Sequence, residues 1–136
     1  MSDIFKLAVN GTLMRGLALN PNLLNVGATF DRDARTEAAY RFWSINDEYP
    51  AMIRVAEGGV AIAVEIWNVP AAGLGVILSQ EPPGLAIGKV KLADGEVVLG
   101  VIGEPLTVKD QREITQLGDW RLYQASRREY STNRDT

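Results

Sequence analysis

The segment Val60 to Val69 does most to limit what this chain can become, because its alternation runs through every residue. Val60, Ile62, Val64, Ile66 and Asn68 fall on one face, and Ala61, Ala63, Glu65, Trp67 and Val69 on the other. That two-residue period is the signature of a β-strand. Gly58-Gly59 makes a turn into it, and Pro70 opens a helix after it, carried to about Gln80 by Leu74, Ile77 and Leu78. Glu81-Pro82-Pro83-Gly84 stops that helix.

A strand of this kind needs partners, and the rest of the chain supplies them. Phe5, Leu7 and Val9 alternate with Lys6, Ala8 and Asn10. Ala28 to Phe30, Ala38 to Ile45 and Tyr49 to Val55 read as further strands, with Asn46-Asp47-Glu48 as the turn between the last two. Lys89 to Leu92 and Glu96 to Gly103 form a hairpin across Asp94-Gly95. Between them, Asn20 to Gly27 predicts a short helical turn capped by Asn20, begun at Pro21 and left at Gly27. Ile114, Leu117 and Trp120 have helical spacing, interrupted by Gly118. Many short strands with one substantial helix predict an α+β domain, its sheet curled or closed around a core. Residues 1–125 form that single domain, with no internal repeat or linker, and the polar tail 126–136 is expected to fray.

Composition removes several kinds of function. There is no histidine and no cysteine, so a Ser-His-Asp triad, a thiolate nucleophile, a disulfide framework and a His- or Cys-ligated metal are all excluded. Acid-base chemistry near neutral pH is left to a carboxylate, a lysine or a tyrosine with a shifted pKa. A net charge of −3 argues against nucleic acid, whose phosphates need a clustered basic surface. No apolar run reaches the ~20 residues that span a bilayer, and no secretory signal opens the chain. No membrane partner and no cofactor are expected, and a cytoplasmic location is the simplest reading.

Three places carry usable chemistry. In the loop Asn10-Gly11-Thr12-Leu13-Met14-Arg15-Gly16, successive backbone N–H groups can converge on a carboxylate or phosphate. Thr12 adds a hydroxyl there, and Arg15 a bidentate clamp; the alternative is a turn where glycine merely permits positive φ. Glu65, if both strand faces are covered, would have a raised pKa and serve as proton carrier or substrate acceptor. Otherwise it is an exterior glutamate or the partner of an arginine such as Arg41 or Arg54. Glu81 follows the C-terminal end of the helix, where the dipole disfavours negative charge and raises a carboxylate's pKa; the alternative is an exposed loop residue. Trp120, Arg121 and Tyr123 either close over a site or dock the C-terminal segment on the core.

Several blocks resemble a known superfamily. Val9-Asn10-Gly11-Thr12-Leu13-Met14-Arg15-Gly16 is similar to the Tyr-Gly-Thr/Ser-Leu loop of the gamma-glutamylcyclotransferase-like proteins. Tyr49-Pro50-Ala51-Met52 and Val64-Glu65-Ile66-Trp67 resemble the next two blocks. Gly16 to Asn20, Leu85 to Gly95 and Glu113 to Tyr123 look like the C-terminal domain of allophanate hydrolase, which shares that fold, so the likeness runs from about residue 5 to 124. It implies a small mixed β-barrel with flanking helices, its cavity capped by the Gly11–Gly16 loop. It also implies an acid-base role for a glutamate placed like Glu81, since Ile77-Leu78-Ser79-Gln80-Glu81 fits the cyclotransferase spacing. The histidine of the allophanate hydrolase domain is Leu13 here, and the loop tyrosine of the cyclotransferases is Asn10. The Ser-Ser-Lys amidase domain of that enzyme has no counterpart in these residues.

Two expectations follow. In one, a stand-alone domain binds and converts a small carboxylate-bearing amide or carbamate, of urea/allophanate-related or γ-glutamyl type, with Asn10 to Gly16 holding it and Glu81 or Glu65 moving the proton. In the other, the domain is a non-catalytic binding or assembly module, forming a homodimer or partnering a separate amidase.

Overall fold

Residues 3–134 are described in a computed structural model of the chain. The order is β1 (Ile4–Val9), α1 (Asn20–Asn25), β2 (Thr29–Arg35), β3 (Tyr40–Ile45), β4 (Tyr49–Arg54), β5 (Ala63–Pro70), α2 (Ala71–Gln80), β6 (Leu85–Lys91), β7 (Val97–Gly103), β8 (Arg112–Glu113) and α3 (Trp120–Arg134), with a 3-10 turn at Pro105–Val108. The strands form a five-stranded sheet, β2-β5-β1-β7-β6, and a three-stranded sheet, β4-β3-β8.

The α+β class stands, and the curl of the larger sheet has a specific limit. Its two edges, β2 and β6, run on until Thr36 meets Leu92 in one isolated bridge, with Glu37 N–H donating to Lys91 O and Ala93 N–H to Arg35 O, both at 2.9 Å. They touch there without a full ladder, so the sheet curls round the core and stops short of a closed barrel. Lys6, Asp31, Arg32, Asp94 and Glu96 form a chain of ion pairs at the same margin, tying β1, β2 and the β6–β7 turn. These groups are exposed enough for water and salt to screen the pairs, so they contribute little to stability.

β1 lies at the centre, antiparallel to β5 and parallel to β7, so its last residues Leu7, Ala8 and Val9 are buried. Phe42 and Met52 from the smaller sheet, with Ile77 from α2, fill the space against them. Each such side chain contributes about 1.5–3 kcal/mol through burial. The sheets meet where the bare Cα of Gly103 lies against β4, since a Cβ there would be 2.8 Å from the Ala51 Cβ.

Three local expectations are corrected. Asn20 does not cap α1: it is the first helical residue, and its buried Nδ2 donates to Leu13 O at 2.9 Å. A buried loop carbonyl needs a donor more than an exposed helix end does. Ile114, Leu117 and Trp120 share no helix; Gly118 takes φ +59° between them, and a fresh helix begins at Trp120. The polar tail is helical through Arg134, carried on from the buried anchors Trp120 and Tyr123, and its final two residues lie outside those described. No described helix is long and apolar enough to cross a membrane.

Candidate functional site

The chain leaves β1 at Val9 and turns at once. Asn10 is buried, and its Nδ2 donates to Val101 O on β7 at 3.2 Å, which ties the loop's start to the sheet. The loop's carbonyls are committed: Gly11 O accepts Met14 N–H at 3.0 Å, Thr12 O accepts Leu19 N–H at 2.9 Å, and Leu13 O accepts Asn20 Nδ2 at 2.9 Å. The N–H groups of Gly11, Thr12 and Leu13, by contrast, donate to no other group among the described residues. Three successive N–H groups are thus left without an acceptor, a pattern that can take an anion where they converge.

These residues border a small, partly open pocket with about 20 Å³ of room for water-sized groups, lined by Val9, Asn10, Gly11, Thr12, Leu13, Tyr49, Pro50, Glu81, Leu85 and Val101. Only glycine fits at position 11, because a Cβ there would sit 2.3 Å from Pro50 Cδ and 2.6 Å from Pro50 Cγ. The proline ring cannot swing aside, so Gly11→Ala must push the loop off the wall. The expected cost is about 1–3 kcal/mol, as for other overpacked sites, with loss of ligand binding. A denaturation midpoint equal to wild type would contradict it.

Glu81 reaches this pocket because α2 ends there. Pro82 and Pro83 cannot continue the helix, and Glu81 is extended, at φ −78° and ψ 150°. Burial pushes its carboxyl above the usual range, and no salt bridge compensates it among the described residues. Tyr49, from the start of β4, brings its phenol to the same space; burial first, then Glu48 and Glu81, raise its pKa. The lining includes no Lys or Arg, so backbone N–H groups are its main positive partners. Glu81, with its raised pKa, and the loop residues Gly11, Thr12 and Leu13 thus line one pocket.

The other half of the loop turns away. Met14 is in the core, and Gly16 takes φ +75° at the loop's exit. The Arg15 guanidinium lies 3.7 Å from the Phe30 ring centre and pairs with Asp33 at 2.9 Å. Arg15 is not among the residues that line the Glu81 pocket, and its guanidinium is held by Asp33 and Glu65. It belongs to a second cluster, centred on Glu65.

Glu65 is 2% exposed, as expected for a strand covered on both faces, but its pKa is lowered where burial alone would raise it. Desolvation would raise its pKa, and donors from the Arg15 backbone, Trp67, Arg121 and the Arg15 side chain outweigh that and hold it below the usual value. The expected arginine partners are elsewhere, Arg41 on Glu113 and Arg54 on Glu37. α3 both docks and reaches a site: Trp120 and Tyr123 are buried, while Arg121 extends to Glu65. Tyr123 also donates to Asp47 beside the β3–β4 turn. Tyr49 was visible in the Tyr49-Pro50-Ala51-Met52 block, yet spacing gave no sign that it faces Glu81. Among the described residues no cluster of three or more His, Cys, Asp or Glu is placed for a metal.

The profile of the allophanate hydrolase C-terminal domain matches residues 5–125. A urea amidolyase of Lachancea kluyveri is 34% identical over 128 residues, which is 89% of this chain and 7% of that protein. The chain thus spans a small fraction of the curated relatives it matches. The crystal structure of a uropathogenic E. coli-specific protein superposes with a TM-score of 0.89 at 58% identity, covering 90% of this chain and 97% of that one. A gamma-glutamyl cyclotransferase, at 14% identity and TM-score 0.54 over 82% of this chain and 70% of its own, shares the fold alone.

Proposed function

The chain belongs to the allophanate hydrolase C-terminal domain family, and on that premise we propose that it binds and converts a small carboxylate-bearing amide or carbamate in the Glu81 pocket. The substrate class is urea/allophanate-related or γ-glutamyl. The observation that supports this most directly is the meeting of Glu81 with the free N–H groups of Gly11, Thr12 and Leu13 across one pocket. In amide or carbamate cleavage, the carbonyl oxygen gains negative charge as water, or in a γ-glutamyl amide the substrate's own amine, adds to the carbonyl carbon and the C–N bond then breaks. The loop N–H groups take that charge, and preorganised donors of this kind are worth several kcal/mol in the transition state. Glu81 accepts the nucleophile's proton and returns it to the departing nitrogen. Asn10 and Tyr49 orient the planar group between them.

The test is a titration of the 15N-labelled protein with urea-derived carboxylates and γ-glutamyl amides, each also followed for product release. Selective shifts at Gly11, Thr12 and Leu13, with turnover of at least one compound, are expected. Shifts spread over the molecule, or none with any compound, would count against the pocket.

One observation favours the second reading, an assembly module. The outer side of α2 presents Ala71, Ala72, Gly75, Val76 and Leu78 to solvent, with no charged residue in the helix, and Val76 and Leu78 are each more than 40% exposed. A surface this apolar suits a partner such as an amidase or a second copy. Light scattering, alone and with a candidate amidase, distinguishes the two readings; a monomer that retains no partner would remove the second.

A further inference from the structure

We infer that Glu65 and Arg121 are positioning residues, a two-element clamp that holds the pocket loop in register through the backbone of Arg15. The inference rests on the reading of Gly11 to Leu13 as the ligand-holding donors. Glu65 Oε1 accepts the Arg15 N–H at 2.9 Å and Trp67 Nε1 at 3.1 Å. Its Oε2 accepts Arg15 Nε at 3.2 Å and an Arg121 guanidinium N–H at 3.0 Å. The same Arg121 nitrogen donates to Arg15 O at 2.6 Å. Both polar groups of the Arg15 backbone are thus gripped at once, by side chains from β5 and α3, and the two gripping groups are paired with each other.

That geometry exceeds what a buried carboxylate needs. Satisfying Glu65 requires only donors, and the Trp67 indole and two guanidinium groups supply them. Capturing a loop N–H and its carbonyl fixes the orientation of the peptide groups on either side of Arg15. The loop's other end is already pinned by Asn10 on Val101. Between these anchors lie Gly11, Thr12 and Leu13, which line the pocket, so the clamp fixes both ends of the segment that carries the free N–H groups. The Arg15 side chain, held over Phe30 and on Asp33, adds a third tether. Donors that act on a transition state must be in place beforehand, and a small displacement costs up to about a hundredfold in rate.

The experiment uses Arg121→Met, Arg121→Lys and Glu65→Gln in the full chain, with two readouts. The first is amide exchange. In Arg121→Met the N–H groups of Met14, Arg15 and Leu19 should exchange about tenfold faster while the β1–β5 ladder is unchanged, a local opening. Arg121→Lys, which keeps a charge within reach of Glu65, should recover most of the protection. The second is kinetics on whichever substrate wild type turns over. Arg121→Met should lower kcat about ten- to a hundredfold with KM little changed, and the pH profile should stay in place because Glu81 is untouched. Glu65→Gln should keep measurable turnover with the same pH profile. Loop exchange equal to wild type, or acceleration shared equally by the ladder, overturns the clamp. So does loss of the pH-dependent limb in Glu65→Gln, which would make Glu65 the proton carrier. If wild type turns over nothing, the pocket reading fails while the exchange data still decide the clamp.

Discussion

Replacing Glu81 with glutamine lowers turnover by about 10²- to 10⁴-fold, the usual worth of a positioned acid-base group, and raises stability at neutral pH. Both effects come from one cause. Burial without a counter-charge lifts the carboxyl above its ordinary 4.5, so the folded state holds this proton more tightly than the unfolded chain does. The sign is then fixed. The group's stabilising contribution is complete below 4.5 and is lost as pH rises through the folded-state value. Above the folded-state value the ionised carboxylate is a net cost that glutamine does not carry. Glu81→Gln should therefore melt higher than wild type at pH 7, with the difference vanishing in acid, and the activity of wild type should rise through a limb displaced upward from the usual carboxylate range. Undiminished turnover would remove Glu81 from the chemistry. A lower melting temperature at pH 7 would show that the carboxylate has a stabilising partner.

Glu65→Ala has the opposite signature. It leaves the buried Trp67 indole and the Arg15 N–H without their acceptor and separates two guanidinium groups from their shared anion. Breaking a fully buried pair costs about 3–5 kcal/mol. Here Arg15 and Arg121 are roughly half exposed and can turn to water, so about 2–4 kcal/mol is expected, or on the order of 10 °C in melting temperature. The folded-state pKa of Glu65 is depressed, so its contribution is present above the unfolded value and is lost as pH falls through the folded one. Wild type and variant should converge in strong acid. A variant that melts with wild type at pH 7 would contradict the structure of the cluster. The pairing of the two predictions is informative: one carboxylate costs stability and the other supplies it.

The loop and Glu81 were legible in the sequence because glycine and proline act on the backbone locally. Gly11 and Gly16 bracket a turn, and Pro82-Pro83 fixes where the helix must stop. The burial of Glu65 was also legible, from the apolar residues alternating about it. The lowering of its pKa was not, because that rests first on the Arg15 backbone N–H, then on Trp67 and on Arg121, and Arg15 and Arg121 lie 50 and 56 residues away and reach it only through the fold. Asn20 obeyed a tertiary demand, the Leu13 carbonyl, over its local preference for a cap. Tyr49 was read as a strand residue before a proline, and nothing within β4 alone tells which wall it completes. Helix α3 was missed because residues beyond Ser126 have no apolar stripe; the helix gains its footing at Trp120 and Tyr123 instead.

The central place of β1 has a consequence for how the protein comes into being. Strand β1 waits for β5 before it has one neighbour and for β7 before it has the other. Asn10 finds its carbonyl only when Val101 is available, and Arg15 finds its second grip only with Arg121. Pairings this distant in sequence slow folding, since chain entropy is lost before contacts repay it. A nascent chain therefore carries every residue of the pocket wall up to Leu85 and still lacks the frame that aims them. The frame of this site is complete only once α3 has brought Arg121 to Arg15.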